Sequence, residues 1–203
     1  IRTQTSDMAN SALEEIANYI KNKNSLCTYK ELQERFVNKL GYSDSLLRSV
    51  AYRSNIYRYL YGCLIHEETL GWNLSKQEEL EVIAAEIYRD CVKTGKCYGL
   101  ITMVLESDNL PTLENGVTWT ELLISELIGK RHNYRTLGNK KSAFISVPNQ
   151  FGIETFEDLI YIILKTEHFG ACNLENFEEE LRDSGIIFRE IPQQFLAFLN
   201  TQL

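Results

Sequence analysis

Thr28–Glu31, Ser75–Glu78 and Thr118–Glu121 each set a Ser or Thr three residues before a Glu that leads into an apolar run. In such a box each side chain satisfies a backbone N–H that the first helical turn leaves unpaired. The apolar residues after the boxes, and before the first, recur at helical spacing. Leu13, Ile16, Ala17 and Ile20 share one face, and Leu32, Phe36, Val37 and Leu40 continue a second helix that Gly41 can stop. Asp44 is placed to cap a third helix carrying Leu46, Leu47 and Val50. Leu80, Ile83, Ala84, Ile87 and Cys91 line a longer helix, and Leu122, Leu123, Glu126 and Leu127 follow the third box. The expected fold class is therefore mostly α.

Other segments complete the outline. From Asn55 to Leu70 the recurrence of Ile56, Leu60 and Leu64 favours a helix, although the alternation of Tyr57, Tyr59 and Tyr61 leaves a strand pair open. Tyr98 to Leu105 reads as an apolar helix, and the Asn, Pro and Gly of Asp108 to Gly116 as a loop. Tyr134–Leu137 and Ala143–Val147, separated by Gly138-Asn139, read as a hairpin. Thr155 and Asn173 open two amphipathic helices. Ile186–Phe188 reads as a short strand, and Pro192 as the start of a closing helix. No repeat of fixed period and no low-complexity linker appears. Three units are expected: a helical one over 1–72, a second over 73–150 and a C-terminal one over 151–203.

Over 76–147 the order helix, helix, loop, capped helix, hairpin resembles a winged-helix unit. The resemblance implies that the third helix, Trp119 to Lys130, is offered to the DNA major groove, with Tyr134 to Val147 as the wing. Residues 7–70 and 154–189 also hold helix-turn-helix-like pairs: Lys30–Leu40 with Leu46–Ala51, and Phe156–His168 with Leu174–Asp183.

Charge supplies the functional signal. Lys plus Arg is 21 and Asp plus Glu is 28, a net charge of −7, which argues against coating nucleic acid or anionic membrane with the whole surface. Yet Leu127 to Ile153 contains no acid and holds Lys130, Arg131, Arg135, Lys140 and Lys141 with His132. The remaining residues then stand at 16 minus 28, or −12. A basic stretch on an acidic chain suits phosphate contact, because each neutralised phosphate releases counterions. Tyr134 and Asn133 interleave the charges within reach of sugar or base edges. A second acid-free stretch, Ser45 to His66, sets Arg48, Arg53 and Arg58 among Tyr52, Tyr57, Tyr59 and Tyr61. Those tyrosines read first as core or interface residues, and with arginine also as a stacking surface. At the other extreme, Glu154 to Asp183 carries nine carboxylates against Lys165 and Arg182, read as wet helix faces.

Catalytic patterns are missing. The sequence has neither G-x-x-x-x-G-K-[ST] nor G-x-G-x-x-G, and neither G-x-S-x-G nor H-E-x-x-H. His168 and Cys172 are four apart, but Gly170 interrupts the helix that would align them. The five cysteines read as reduced thiols. A zinc set from Cys63, His66, Cys91 and Cys97 is disfavoured by its spacing, and no metal or cofactor is expected. With no apolar run of membrane-spanning length, no signal-peptide pattern and Ile1 at its start, the chain is expected to be a cytoplasmic module of a longer protein. The expected function is non-catalytic nucleic-acid binding, most naturally to double-stranded DNA. The alternative is a protein-interaction or oligomerisation module. No membrane and no small-molecule substrate is expected.

Overall fold

A computed structural model describes residues 2–130, 133–138, 141–168, 173–187, 190–191 and 196, with side chains from Ala9 onward. Helix predominates, but two three-stranded antiparallel sheets make the fold mixed α/β rather than mostly α.

The first sheet belongs to the N-terminal elements. Helix α1 (Arg2–Lys23) leads to β1 (Cys27–Thr28) and then to α2 (Tyr29–Leu32), which widens into π-helical turns over Gln33–Lys39. Thr28 caps α2 as its box predicts, its hydroxyl accepting from the Glu31 amide at 3.2 Å. Ser43, rather than Asp44, caps α3 (Asp44–Ser49), because its hydroxyl lies where the Leu46 amide points. A 3₁₀ turn, Val50–Tyr52, extends α3.

The segment expected as a helix over Asn55–Leu70 is instead a hairpin of β2 (Ile56–Leu60) and β3 (Cys63–His66), followed by the short helix α4 (Glu67–Leu70). The every-fourth spacing of Ile56, Leu60 and Leu64 is misleading here. Gly62 takes a left-handed φ of 77° at the turn, and a register shift between Arg58 and Leu60 blurs the strand alternation. The core of this region joins Ile16, Ile20, Leu32, Phe36, Leu47, Val50, Ile56 and Leu64.

The second sheet repeats the plan. Helix α5 (Leu74–Lys93) leads to β4 (Gly99–Leu100), then α6 (Ile101–Leu105), α7 (Glu121–Lys130), β5 (Tyr134–Leu137) and β6 (Ala143–Ser146). Its strand order is β4-β6-β5, as the first sheet's is β1-β3-β2. Each set thus runs helix, strand, helix, helix, strand, strand, with the last strand central in the sheet. The sequence shows no such repeat, because it lies in the topology and not in a residue period. The two later caps each shift by two residues: Asn73 accepts from the Lys76 amide, and Thr120 from the Leu123 amide. Tyr98–Leu105, expected as one helix, divides into β4 and α6, since the Gly99 backbone must lie under the Phe144 ring.

Helices α8 (Phe156–Glu167) and α9 (Leu174–Asp183) follow. Thr155 forms a complete capping box with Asp158, and Asn173 caps α9. The inward faces of the two helices carry Leu159, Ile160, Ile163, Phe177 and Leu181, which pack in one core with Ala143 and Ile145. Ile186 and Ile187 close the turn after α9, their amides bonded to the Leu181 carbonyl, instead of forming a strand. The helix expected from Pro192 falls almost wholly outside the described residues.

By internal contacts the chain forms two compact units, residues 1–78 with 111–127, and residues 79–110 with 128–203. In the first unit the returning segment is tied down by Trp72 against Trp119, edge to face, and by the Asn115 side chain on the Thr69 carbonyl at 2.9 Å.

Candidate nucleic-acid interface

The acid-free basic stretch begins at the C-terminus of α7 and runs into the β5–β6 hairpin. Lys130 is exposed in the last turn of α7, where a cation also opposes the helix dipole. The turn before it abuts β5, because a Cβ on Gly129 would lie 3.0 Å from the Thr136 hydroxyl. Arg135, beside Thr136, is exposed and donates from Nη1 to the Glu154 carbonyl at 2.7 Å. A carbonyl orients that guanidinium without neutralising it. Lys130 and Arg135 therefore sit on chain segments that meet where α7 ends against β5.

Two other predicted residues play different parts. Tyr134 is half-buried, its ring edge-on to Phe144 with centroids 5.7 Å apart, and burial raises its phenol above the ordinary range. It supports the hairpin more than it meets solvent. Lys141 is half-buried in the hairpin turn at a left-handed φ of 54°, its amide bonded to the Gly138 carbonyl. Asn133 is exposed and donates to Glu81 at 3.0 Å. Arg131, His132 and Lys140 lie outside the described residues.

Helix α7 does not present the groove-reading face that the winged-helix resemblance implies. Leu123, Ile124, Ser125, Glu126, Leu127 and Ile128 are all buried. At about 100° per residue, six consecutive positions pass right round a helix. The middle of α7 is core.

The second patch, in the first unit, is differently built. Arg48, exposed on α3, pairs through Nε with Asp44 at 2.8 Å. Arg58 donates from Nε and Nη2 to one oxygen of the buried Glu126 carboxylate, at 3.1 and 2.5 Å. Arg53 is half-buried at the end of the 3₁₀ turn. Of the four tyrosines, Tyr57 and Tyr59 are core, the latter donating its hydroxyl to the Thr118 carbonyl. Tyr52 and Tyr61 are not: they are 84% and 103% exposed. Tyr29 is half-buried against the core of this unit, and its amide bonds to the Gly62 carbonyl beside Tyr61. Burial raises the Tyr29 phenol, with Tyr52 and Asp44 acting in the same sense and the charges of Arg58 and Arg48 against it. Sequence reasoning could not separate the outward from the inward tyrosines.

His66 and the described cysteines lie within the packed interior or at its edge. His66 is buried. Its Nδ1 accepts from the Glu68 amide as the cap of α4, and Nε2 faces the Asn55 side-chain amide at 3.0 Å. Cys27, Cys91 and Cys97 are buried and Cys63 half-buried, all as free thiols. Burial pushes the thiols of Cys27 and Cys97 up to about 12. Among the described residues no three His, Cys, Asp or Glu side chains could hold a metal ion together. His168 Nε2 lies 3.2 Å from Glu180, while Cys172 is outside the described residues. Among the described residues no helix is long and apolar enough to cross a membrane. No family model, no curated protein and no solved structure matches this chain.

Proposed function

We propose that the chain is a non-catalytic nucleic-acid-binding module built on two winged-helix-like arrangements, with double-stranded DNA as the ligand of the second. The observation that carries this reading is the segregation of five positive charges into one acid-free stretch of an acidic chain. Its described part supports the reading, since exposed Lys130 and Arg135 lie where α7 meets β5. The duplicated helix, strand, helix, helix, strand, strand order, with the last strand central, agrees with the winged-helix pattern.

The burial of α7 shapes the mode of binding. Contact falls to the helix end and the hairpin, which reach phosphates rather than base edges. Phosphate contacts position a protein on a duplex without reading its sequence, so weak sequence preference is expected.

Fluorescence anisotropy of a labelled duplex of about 20 base pairs tests the proposal, titrated at two salt concentrations. Binding should weaken steeply with salt. In Lys130→Ala/Arg135→Ala both the affinity and the slope against log salt should fall, the slope by about 0.9 for each phosphate left unneutralised. Absence of duplex binding at low salt would sink the reading.

A further inference from the structure

We infer that Cys91 and Met103 form a two-coordinate site for copper(I). The site does not depend on duplex binding, because neither residue belongs to the Lys130–Lys141 stretch.

The two sulfurs come from different elements and meet. Cys91 lies near the end of α5 and Met103 in the middle of α6. The Cys91 thiol donates to Met103 Sδ across 4.0 Å. Both side chains line one cavity of about 190 Å³, together with Tyr98, Leu100 and the exposed Lys96. Cys91 is 5% exposed and Met103 40%, so the thioether is the end of the pair that an arriving ion meets first.

The backbone holds both ligands in place. The Thr94 hydroxyl and the Lys96 amide donate to the Cys91 carbonyl at 2.8 and 3.0 Å, which closes the end of α5. The Ile101 amide bonds to the Ser142 carbonyl at 2.8 Å, which pins the start of α6 beside β6. Ligands carried on fixed elements need little ordering when the ion arrives.

Donor chemistry selects the ion. A thiolate and a thioether are soft ligands, and soft ligands favour copper(I) over the harder divalent ions. Structural zinc takes four protein donors, whereas among the described residues no three His, Cys, Asp or Glu side chains could hold a metal ion together. Copper(I) is stable with two sulfurs. Metal–sulfur bonds of about 2.3 Å reach across as much as about 4.6 Å, so a bent S–Cu–S bridge fits the 4.0 Å separation without backbone movement.

Charge points the same way. The Lys96 ammonium stands 5.9 Å from the centre of the Tyr98 ring, at the same cavity. One thiolate and one monovalent ion sum to zero, which an apolar wall tolerates. A divalent ion would leave a net positive charge beside that ammonium. Burial raises the Cys91 thiol, with Asp90 adding to it, and the Lys96 charge opposes them and so favours the thiolate. On binding, the S–H bond breaks and its proton passes to the buffer. Cys91 Sγ and Met103 Sδ each give an electron pair to the copper, and no electron is transferred.

Anaerobic titration with copper(I) held by the chromophoric chelator bicinchoninate tests the site. The full chain carrying Cys63→Ser/Cys172→Ser serves as parent, because Cys27 and Cys97 are fully buried and compete poorly. The parent should withdraw one equivalent of copper from the chelator, and Cys91→Ala in the same background none. Met103→Leu conserves side-chain volume. It should weaken the affinity by about tenfold or more, since even the outer partners of a metal ligand are worth that much. Its thermal melt without copper should match the parent's, which separates lost ligation from lost folding. No withdrawal by the parent, or withdrawal by Met103→Leu equal to the parent's, overturns the inference. An equivalent still withdrawn by Cys91→Ala does so too.

Discussion

Arg58 closes over Glu126, with Nε and Nη2 both on one carboxylate oxygen, and so provides the counter-charge for an acid set in a run of six buried residues. The arginine is 40% exposed and the glutamate 5% exposed. Loss of the arginine strands the buried charge, whereas loss of both charges removes the problem. Arg58→Met should therefore lower stability by about 1–3 kcal/mol, discounted for the wet side of the pair. Arg58→Met/Glu126→Leu should recover most of it. Urea denaturation of the two variants measures the difference, and a double variant no better than the single would refute this account.

Gly99 in β4 pairs with Phe144 in β6, and a Cβ there would sit 2.5 Å from the ring's Cζ. Gly99→Ala should cost about 1–3 kcal/mol by overpacking. Shortening the opposing ring in Gly99→Ala/Phe144→Leu should return part of that loss. Thermal melts followed by circular dichroism would show it.

Thr155 caps α8 and Asp158 answers it, its carboxylate accepting from the amides of Glu154 and Thr155. Thr155→Ala should lower stability by about 1 kcal/mol. Thr155→Ser, which keeps the hydroxyl, should cost much less. Equal losses in the two variants would assign the effect to the methyl group's packing.

His66 sets an acid limit on stability. Burial first, with Lys21 adding to it, holds its pKa below the usual value against the opposite pull of Glu67 and Glu68. The folded state therefore favours neutral imidazole, whereas the unfolded chain takes up a proton near pH ~6.5. Its contribution is present above that pH and is lost as pH falls through the folded value. Protonation at Nδ1 would also remove the acceptor that caps α4. The stability of the wild type should fall more than that of His66→Asn between about pH 7.5 and about pH 5.5, with denaturant midpoints as the readout.

Legibility in the sequence follows the range of the interaction. Local chemistry is plain: Thr28, Thr155 and Asn173 cap the helices they precede, and Gly138 sits in the turn of the β5–β6 hairpin. The loop before α7 is plain too, because Asn115 and Gly116 both take left-handed φ. The β2–β3 hairpin is not, since Ile56, Leu60 and Leu64 satisfy a helical spacing that only strand pairing contradicts. The basic stretch is visible as composition, but the half-burial of Tyr134 depends on Phe144 across the sheet. Likewise the burial of α7 and the exposure of Tyr52 and Tyr61 are set by partners distant in the chain.

The repeated element order has an evolutionary reading. If one ancestral module was copied in tandem, each position in one copy has a counterpart in the other. The two third helices differ in burial, α3 keeping an outward face and α7 having six consecutive buried residues. Random mutagenesis scored on folding should then find α7 intolerant and the outward positions of α3 permissive, so that equal places in the repeated order carry unequal constraint.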